Sequence, residues 1–71
     1  MSISSKVGAL LSLKNMKQQD LMGPLDMSTK QTLSNKFVND RWSGKDLIAV
    51  ADATGCKLSF VFPDGSHIDL N

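Results

Sequence analysis

Apolar residues recur at helical spacing along most of the chain before the pattern changes near the C-terminal end. The first such run contains Val7, Leu10, Leu11 and Leu13, and it predicts a helix over residues 4–14. Ser4 or Ser5 is placed to cap its start. Asn15 is placed to end it, because Asn tolerates the left-handed conformation in which many helices stop.

A second helix is predicted over residues 17–25, where Leu21 and Leu25 lie one helical turn apart and Asp20 falls in the first turn. Pro24 would stand inside this helix. Proline removes a backbone donor and disfavours helical geometry in the residue before it. The sequence therefore predicts that the second helix is either kinked or very short.

The third predicted helix covers residues 30–39. Leu33 and Phe37 are one turn apart, and Ser28 or Thr29 precedes the helix as a competent N-cap. Both apolar side chains then lie on one face, which we expect to be turned toward the core.

The fourth predicted helix begins at a capping box formed by Ser43 and Asp46 and runs to about Thr54, where Gly55 ends it. Its inward face is predicted to hold Leu47, Ile48, Val50 and Ala51. A loop that contains Trp42 precedes the helix, and we expect this side chain to cover the core there.

After Gly55 the period of the pattern changes from about 3.6 to 2. Phe60 and Phe62 alternate with more polar positions, as do Ile68 and Leu70, around a Pro-Asp-Gly-Ser turn. This predicts a β-hairpin. An isolated two-stranded hairpin is marginal in water, so its apolar face must cover the helices or pair with a second subunit.

The fold class predicted from these elements is mainly α with a small C-terminal β-hairpin, in a single domain over residues 1–71. A chain of 71 residues excludes multi-domain enzymes. With 41% hydrophobic and 21% charged residues, the composition is that of a globular domain rather than a disordered one. No apolar run approaches the ~20 residues that a bilayer requires, and no signal-peptide pattern opens the chain, so we expect a cytoplasmic protein.

The sequence offers little catalytic chemistry. One cysteine, Cys56, and one histidine, His67, provide neither a disulfide nor a four-ligand metal site. Ser-His-acid sets and glycine-rich phosphate loops are missing as well. We therefore expect a protein that is not an enzyme and that uses no metal and no cofactor.

Charge is distributed unevenly along the chain although the net charge is only +1. Residues 1–45 contain seven Lys and Arg against three Asp, a net charge of +4. Residues 46–71 contain one Lys against four Asp, a net charge of −3. This asymmetry indicates one side of the protein that faces an anion.

The outer face of the third helix carries the chemistry of most interest. If Leu33 faces the core, Gln31 and Asn35 point away from it, with Lys30 and Lys36 on opposite shoulders. Asn and Gln can each pair with adenine through two hydrogen bonds, and Lys suits phosphate oxygens or guanine. The same residues are also typical of a solvated helix exterior, and these positions alone do not separate the two interpretations.

The stretch QQDLMGPLDMS over 18–28, followed by KQTLSNK over 30–36, resembles the helix-turn-helix of the Cro and phage-repressor (XRE-type) class of bacterial DNA-binding regulators. The resemblance continues through SGKDLI and covers about residues 5–55. The segment 56–71 is similar to the tail of short bacterial members of the class. The resemblance implies a four-helix, lambda-repressor-like DNA-binding core over 5–55, followed by two antiparallel strands.

The resemblance implies a role for individual residues. Base edges in the major groove would be approached by Thr29, Lys30, Gln31, Ser34 and Asn35. Backbone phosphates would be contacted by Gln18, Ser28, Lys36, Arg41, Ser43 and Lys45. The implied protein is a transcriptional repressor of a bacterium, prophage or mobile element that binds a double-stranded DNA operator.

A dimer is expected because one such module makes few DNA contacts, and the candidates for its interface are Phe60, Phe62, Ile68 and Leu70. The other interpretation is a protein-interaction module, such as an antitoxin-like or inhibitor protein, that keeps the scaffold without reading DNA. Three features favour this alternative: Met22, Pro24 and the modest net charge. Met22 would crowd the approach of the second and third helices. At Asp26 the family has a turn glycine, so we expect Asp26 in the left-handed conformation.

Overall fold

The computed structural model describes residues 2–71, which form three α-helices, one short 3-10 helix and a two-stranded antiparallel sheet. The element bounds, in chain order, are α1 (Ile3–Leu13), the 3-10 helix η1 (Gln18–Leu21), α2 (Lys30–Asn39), α3 (Gly44–Thr54), β1 (Ser59–Val61) and β2 (His67–Asp69). The prediction of a mainly helical chain with a small C-terminal hairpin is confirmed.

The prediction of four helices is wrong, because the second of them is only the 3-10 helix η1 and a following turn. Pro24 has no N–H with which to extend a helix. Leu25 N–H still donates to the Leu21 carbonyl at 2.9 Å, and the turn then ends at Asp26, whose φ is 55°. Of the two geometries that Pro24 allowed, the very short helix is the one present, and Asp26 has the expected left-handed conformation.

The start of α1 also differs from the prediction. Its N-cap is Ser2, whose hydroxyl accepts from Ser5 N–H at 3.1 Å, so neither Ser4 nor Ser5 is the cap. Ser4 instead ties α1 to the end of α2. Its N–H donates to Asp40 Oδ1 at 2.7 Å, and its hydroxyl accepts from Trp42 Nε1 at 3.0 Å. The hydrogen bond from Ser4 N–H lowers the pKa of the Asp40 carboxyl from its ordinary value.

Helices α2 and α3 begin where the sequence predicts. Thr29 is the N-cap of α2, and its side chain accepts from Thr32 N–H. At α3, Ser43 and Asp46 form the predicted capping box. Gly55, with a φ of 72°, ends α3 in the left-handed conformation that glycine adopts without steric cost.

The core lies where α1, α2, α3 and η1 meet. Its buried cluster consists of Val7, Leu11, Leu21, Leu33 and Val50, of which Leu21 is fully buried. Trp42 covers this cluster as expected, and its ring meets that of Phe37 edge-on with 5.0 Å between centroids. In α3, Val50 and Ala51 are buried, whereas Leu47 and Ile48 are only half-buried.

The hairpin extends away from this core. Its strands pair with Phe60 opposite Ile68, and Leu70 N–H donates to the Leu58 carbonyl at 2.7 Å. Asn71 joins the base of the hairpin to α3, because its side-chain amide donates to Asp52 Oδ1 at 2.7 Å. The predicted dimer residues Phe60, Phe62, Ile68 and Leu70 are all exposed, so they do not close the core of the single chain.

Among residues 2–71, no helix combines the length and the apolar character that crossing a membrane demands.

Candidate functional site

The outer face of α2 carries the two amides singled out by the sequence. Gln31 and Asn35 are both exposed, and Gln31 Nε2 donates to Asn35 Oδ1 at 3.1 Å. This face is held outward because Leu33, on the opposite side of the helix, is buried in the core cluster with Leu21. The amide pair is therefore presented to solvent on a helix whose orientation the core fixes.

A recess of about 320 Å³ separates the outer face of α2 from the 3-10 helix η1. It is lined by Lys17, Gln18, Gln19, Lys30, Leu33 and Ser34. Asp20, the acidic residue of η1, accepts a hydrogen bond from Lys17 N–H at 2.8 Å. The recess therefore combines two exposed lysines with amide and hydroxyl groups, a set of donors suited to an anion.

A second recess, of about 200 Å³, flanks α2 on its other side. Its lining residues are Met27, Thr32, Asn35, Lys36, Asn39 and Arg41. The amide face of α2 consequently stands between two polar recesses, each of which contains cationic side chains.

Lys36 differs from the other lysines of this surface. Its Nζ donates to Asp46 Oδ2 at 2.7 Å and to the Arg41 carbonyl at 3.1 Å, and it lies 5.8 Å from the centre of the Trp42 ring. The two paired side chains are only 17% and 20% exposed. Lys36 therefore has a structural partner, and its role as a phosphate contact stays a prediction.

The carboxyl of Asp46 is shifted by the same contacts. Its partial burial acts to raise the pKa, but the hydrogen bonds from Lys36 Nζ and Ser43 N–H and the nearby charge of Lys36 outweigh burial. The pKa of Asp46 consequently lies below its ordinary value, and this carboxyl is charged at neutral pH.

Two of the predicted contact residues use their hydroxyls within the fold. Thr29 Oγ1 caps α2 and lies 2.8 Å from Thr32 Oγ1, and Ser43 Oγ accepts from Asp46 N–H at 3.1 Å. Ser28, by contrast, is an exposed residue of the turn before α2. Thr29 and Ser43 thus position helix starts, whose N–H groups favour anions in front of them.

Arg41 precedes the α3 capping box and Lys45 lies within it, between Ser43 and Asp46, and both side chains are exposed. Neither Arg41 nor Lys45 forms a salt bridge among residues 2–71, so both keep their charges available to solvent. Arg41 lines the second recess, whereas Lys45 lies outside both recesses.

The structure adds residues that the sequence did not single out. Lys17 and Gln19 join Gln18 in the first recess, and Thr32 and Asn39 line the second. The helical angle of the sequence already places Thr32 beside Gln31 and Asn35, and the same angle could have found Asn39, one turn after Asn35. Lys17 and Gln19 could not be found in this way, because their placement depends on the 3-10 geometry of η1.

The described residues contain no cluster of three or more groups that could hold a metal ion. His67 Nδ1 lies 2.8 Å from Asp69 Oδ1 on the polar face of the hairpin, and the half-buried Cys56 has its Sγ 3.7 Å from the Thr54 carbonyl. Neither side chain lines the recesses beside α2.

No family model matches the chain, and neither a curated protein nor a solved structure gives a significant match.

Proposed function

We propose that the protein is a sequence-specific regulator that binds double-stranded DNA and inserts α2 into the major groove. The observation that carries the proposal is the pair of exposed amides, Gln31 and Asn35, on a helix flanked by two polar recesses. The base-reading set is Thr29, Lys30, Gln31, Ser34 and Asn35, with the Cro-like resemblance of the sequence as further support.

The shape of the surface suits a groove. The major groove of B-DNA is about 12 Å wide and admits one α-helix, which leaves a phosphate backbone on each side of that helix. On one side of α2 stand Lys17, Gln18 and Lys30, and on the other stands Arg41. Each recess would then receive phosphates of one strand while the amides of α2 reach the base edges.

Charge supports the same arrangement. The α2 surface belongs to the part of the chain with a net charge of +4, whereas residues 46–71 carry −3. A DNA duplex would be attracted to the first part and repelled by the second, which selects one orientation of the protein on the duplex.

We further propose that the regulator is a homodimeric repressor acting in the cytoplasm of a bacterium, on an operator of chromosomal, prophage or mobile-element DNA. One module offers few base contacts. Two copies on half-sites about 34 Å apart would place both α2 helices on the same side of the duplex and would multiply the discrimination.

In vitro selection of DNA sites with the purified protein tests the proposal. The expected result is an enriched site with two related half-sites, bound with an affinity that falls steeply as salt is raised. Failure to enrich any site, together with no binding to random duplex at low salt by the folded protein, would overturn it.

A protein-interaction module is the second candidate, and the exposed apolar side chains of the helical part favour it. Val38, near the end of α2, is 78% exposed, and Leu13, at the end of α1, is 81% exposed. The ion pair with Asp46 also removes Lys36 from the free cations of the α2 surface. Under this alternative, Val38→Ser would abolish binding to a protein partner and DNA binding would be absent at low salt.

A further inference from the structure

The hairpin exposes an apolar face that no described part of the chain covers. Because side chains alternate across a strand, one face of the hairpin, called here the hairpin face, consists of Leu58, Phe60, Phe62, Ile68 and Leu70. Phe60 is 63% exposed and Ile68 is 58% exposed, whereas Leu58 is half-buried. Two strands of three residues each gain little stability by themselves, so a cover for this face would stabilise them.

An apolar groove of about 280 Å³ lies between α1 and α3, beside the base of the hairpin. Apolar residues that line it include Ile3, Val7, Leu10, Leu47, Val50 and Leu58. Leu58 belongs to the groove and to the hairpin face alike. The two therefore form one continuous apolar surface with a recess at one end and a projection at the other.

We propose that the occupant of this surface is a second copy of the chain, with the hairpin face of each protomer seated over the α1/α3 groove of the other. A two-fold axis near Leu58 brings each projection onto the partner's recess, and the surface is self-complementary, as an isologous interface requires. Phe60 and Phe62 are the side chains that enter the groove. The proposal gives the dimer of the proposed function its interface, although the pairing itself does not depend on DNA.

The size of the surface is adequate for a dimer. The exposed fractions of Phe60, Phe62, Ile68 and Leu70 with Ile3 correspond to roughly 400–500 Å² of apolar area per protomer, since an aromatic side chain can bury about 150–250 Å². A standard interface buries about 800 Å² per partner, of which about 65% is apolar in homodimers. The apolar area on this side of the molecule is close to what such an interface needs.

Charge is complementary between the two ends of the surface. The groove includes two cations in its lining, Lys6 and Lys57. The hairpin turn carries Asp64, whose pKa is lowered by hydrogen bonds from the Ser66 side chain and N–H, so it is charged at neutral pH. Seating the hairpin of one copy over the groove of the other brings these opposite charges toward each other.

Sedimentation equilibrium of the full chain without DNA, over a wide range of concentration, tests the association. A dimer is expected for the wild type. Phe60→Lys should shift the equilibrium toward monomer by at least tenfold in the dissociation constant, because the charge would have to enter the apolar groove. Val61→Lys is the matched control, since Val61 neighbours Phe60 but lies on the opposite face of the hairpin, and it should leave the dimer intact.

Isotope-filtered NMR on a mixture of labelled and unlabelled wild-type chains tests the arrangement without any substitution. Intermolecular contacts between the Phe60 or Phe62 rings and the methyl groups of Leu10, Leu47 or Val50 are expected. A dimer whose contacts join only hairpin to hairpin, or a wild type that stays monomeric at every concentration, overturns the proposal. A monomer that still selects a DNA site would overturn this inference alone and leave the proposed function in place.

Discussion

The Nζ of Lys36 in α2 lies 2.7 Å from Oδ2 of Asp46 in α3, and the same carboxylate oxygen accepts the N–H of Ser43 at 2.9 Å. One carboxylate therefore closes the capping box of α3 and fixes the shoulder of α2. The contact pairs Lys36 with an acid, whereas Lys30, at the other shoulder of the helix, is exposed. We therefore expect Lys36 to contribute to the stability of the fold and Lys30 to contribute to DNA binding.

Substitution of these two lysines by methionine should affect different properties, stability for Lys36 and DNA binding for Lys30. Lys36→Met is expected to lower the free energy of unfolding by about 1–2 kcal/mol, because it leaves a partly buried carboxylate without its charged donor. Lys30→Met should change that free energy by less than about 0.5 kcal/mol, yet weaken DNA binding and flatten the salt dependence by about one phosphate contact. Urea unfolding and fluorescence-anisotropy titration at several salt concentrations measure the two effects. Equal stability losses in both variants would contradict the distinction.

The amide pair on α2 predicts a loss of sequence preference. Gln31→Ala and Asn35→Ala should each reduce discrimination between the selected site and a site with one altered base pair by about 1–3 kcal/mol. Because Gln31 Nε2 donates to Asn35 Oδ1, the double variant should lose less than the sum of the two single losses. Competition titrations with matched and altered duplexes measure this. If both single variants prefer the selected site as strongly as wild type does, α2 does not read bases with this face.

Acid should destabilise the fold through Asp46. The pKa of this carboxyl is lower in the folded chain than its ordinary value of 3.8, so its stabilising effect is complete above that value. As pH falls below about 4, the unfolded chain takes up the proton first, and the free energy of unfolding should decline until the folded carboxyl is protonated too. Asp40, with its own lowered pKa, contributes in the same direction.

The control for this pH dependence is Asp46→Asn, followed by urea unfolding between neutral pH and about pH 3. The variant should be less stable than wild type at neutral pH, and the difference between the two should narrow in acid. A difference that does not change with pH would mean that the charge of Asp46 contributes nothing to the fold.

The first recess depends on one buried side chain. Leu21 is fully buried and belongs to η1, which has few backbone hydrogen bonds of its own to hold it beside α2. Leu21→Ala should therefore cost about 2–5 kcal/mol of folding free energy. Leu13→Ala, at a residue that is 81% exposed, is the matched control and should cost less than about 0.5 kcal/mol. Thermal unfolding followed by circular dichroism compares the two variants. Similar losses of stability in both would show that the burial of Leu21 does not stabilise the fold.

Local signals in the sequence were sufficient wherever the backbone chemistry is local. Thr29, the Ser43 and Asp46 capping box, and Gly55 each mark a helix boundary through groups a few residues apart, and these boundaries agree with the structure. The outward direction of Gln31 follows in the same way from the apolar spacing of α2.

Other features required three-dimensional contacts. Ser4 resembles an N-cap in sequence, but its hydroxyl bonds to the end of α2, and Ser2 caps α1 instead. Lys36 has a free charge in any helical projection, since Asp46 lies in another helix. Pro24 indicated that the second helix is interrupted, but it did not determine the geometry of the interruption. A kinked helix and a short 3-10 helix are both compatible with a residue that has no N–H.

Trp42 gives the protein a built-in optical probe, since it is the single tryptophan of the chain. Its ring rests on Phe37 and its Nε1 donates to Ser4, so its emission responds to the junction of α1 and α2. The hairpin has no tryptophan and no tyrosine, and its two phenylalanines, Phe60 and Phe62, do not emit at tryptophan wavelengths. A fluorescence melt will therefore record the helical part alone, and loosening of the hairpin must be followed by a separate signal.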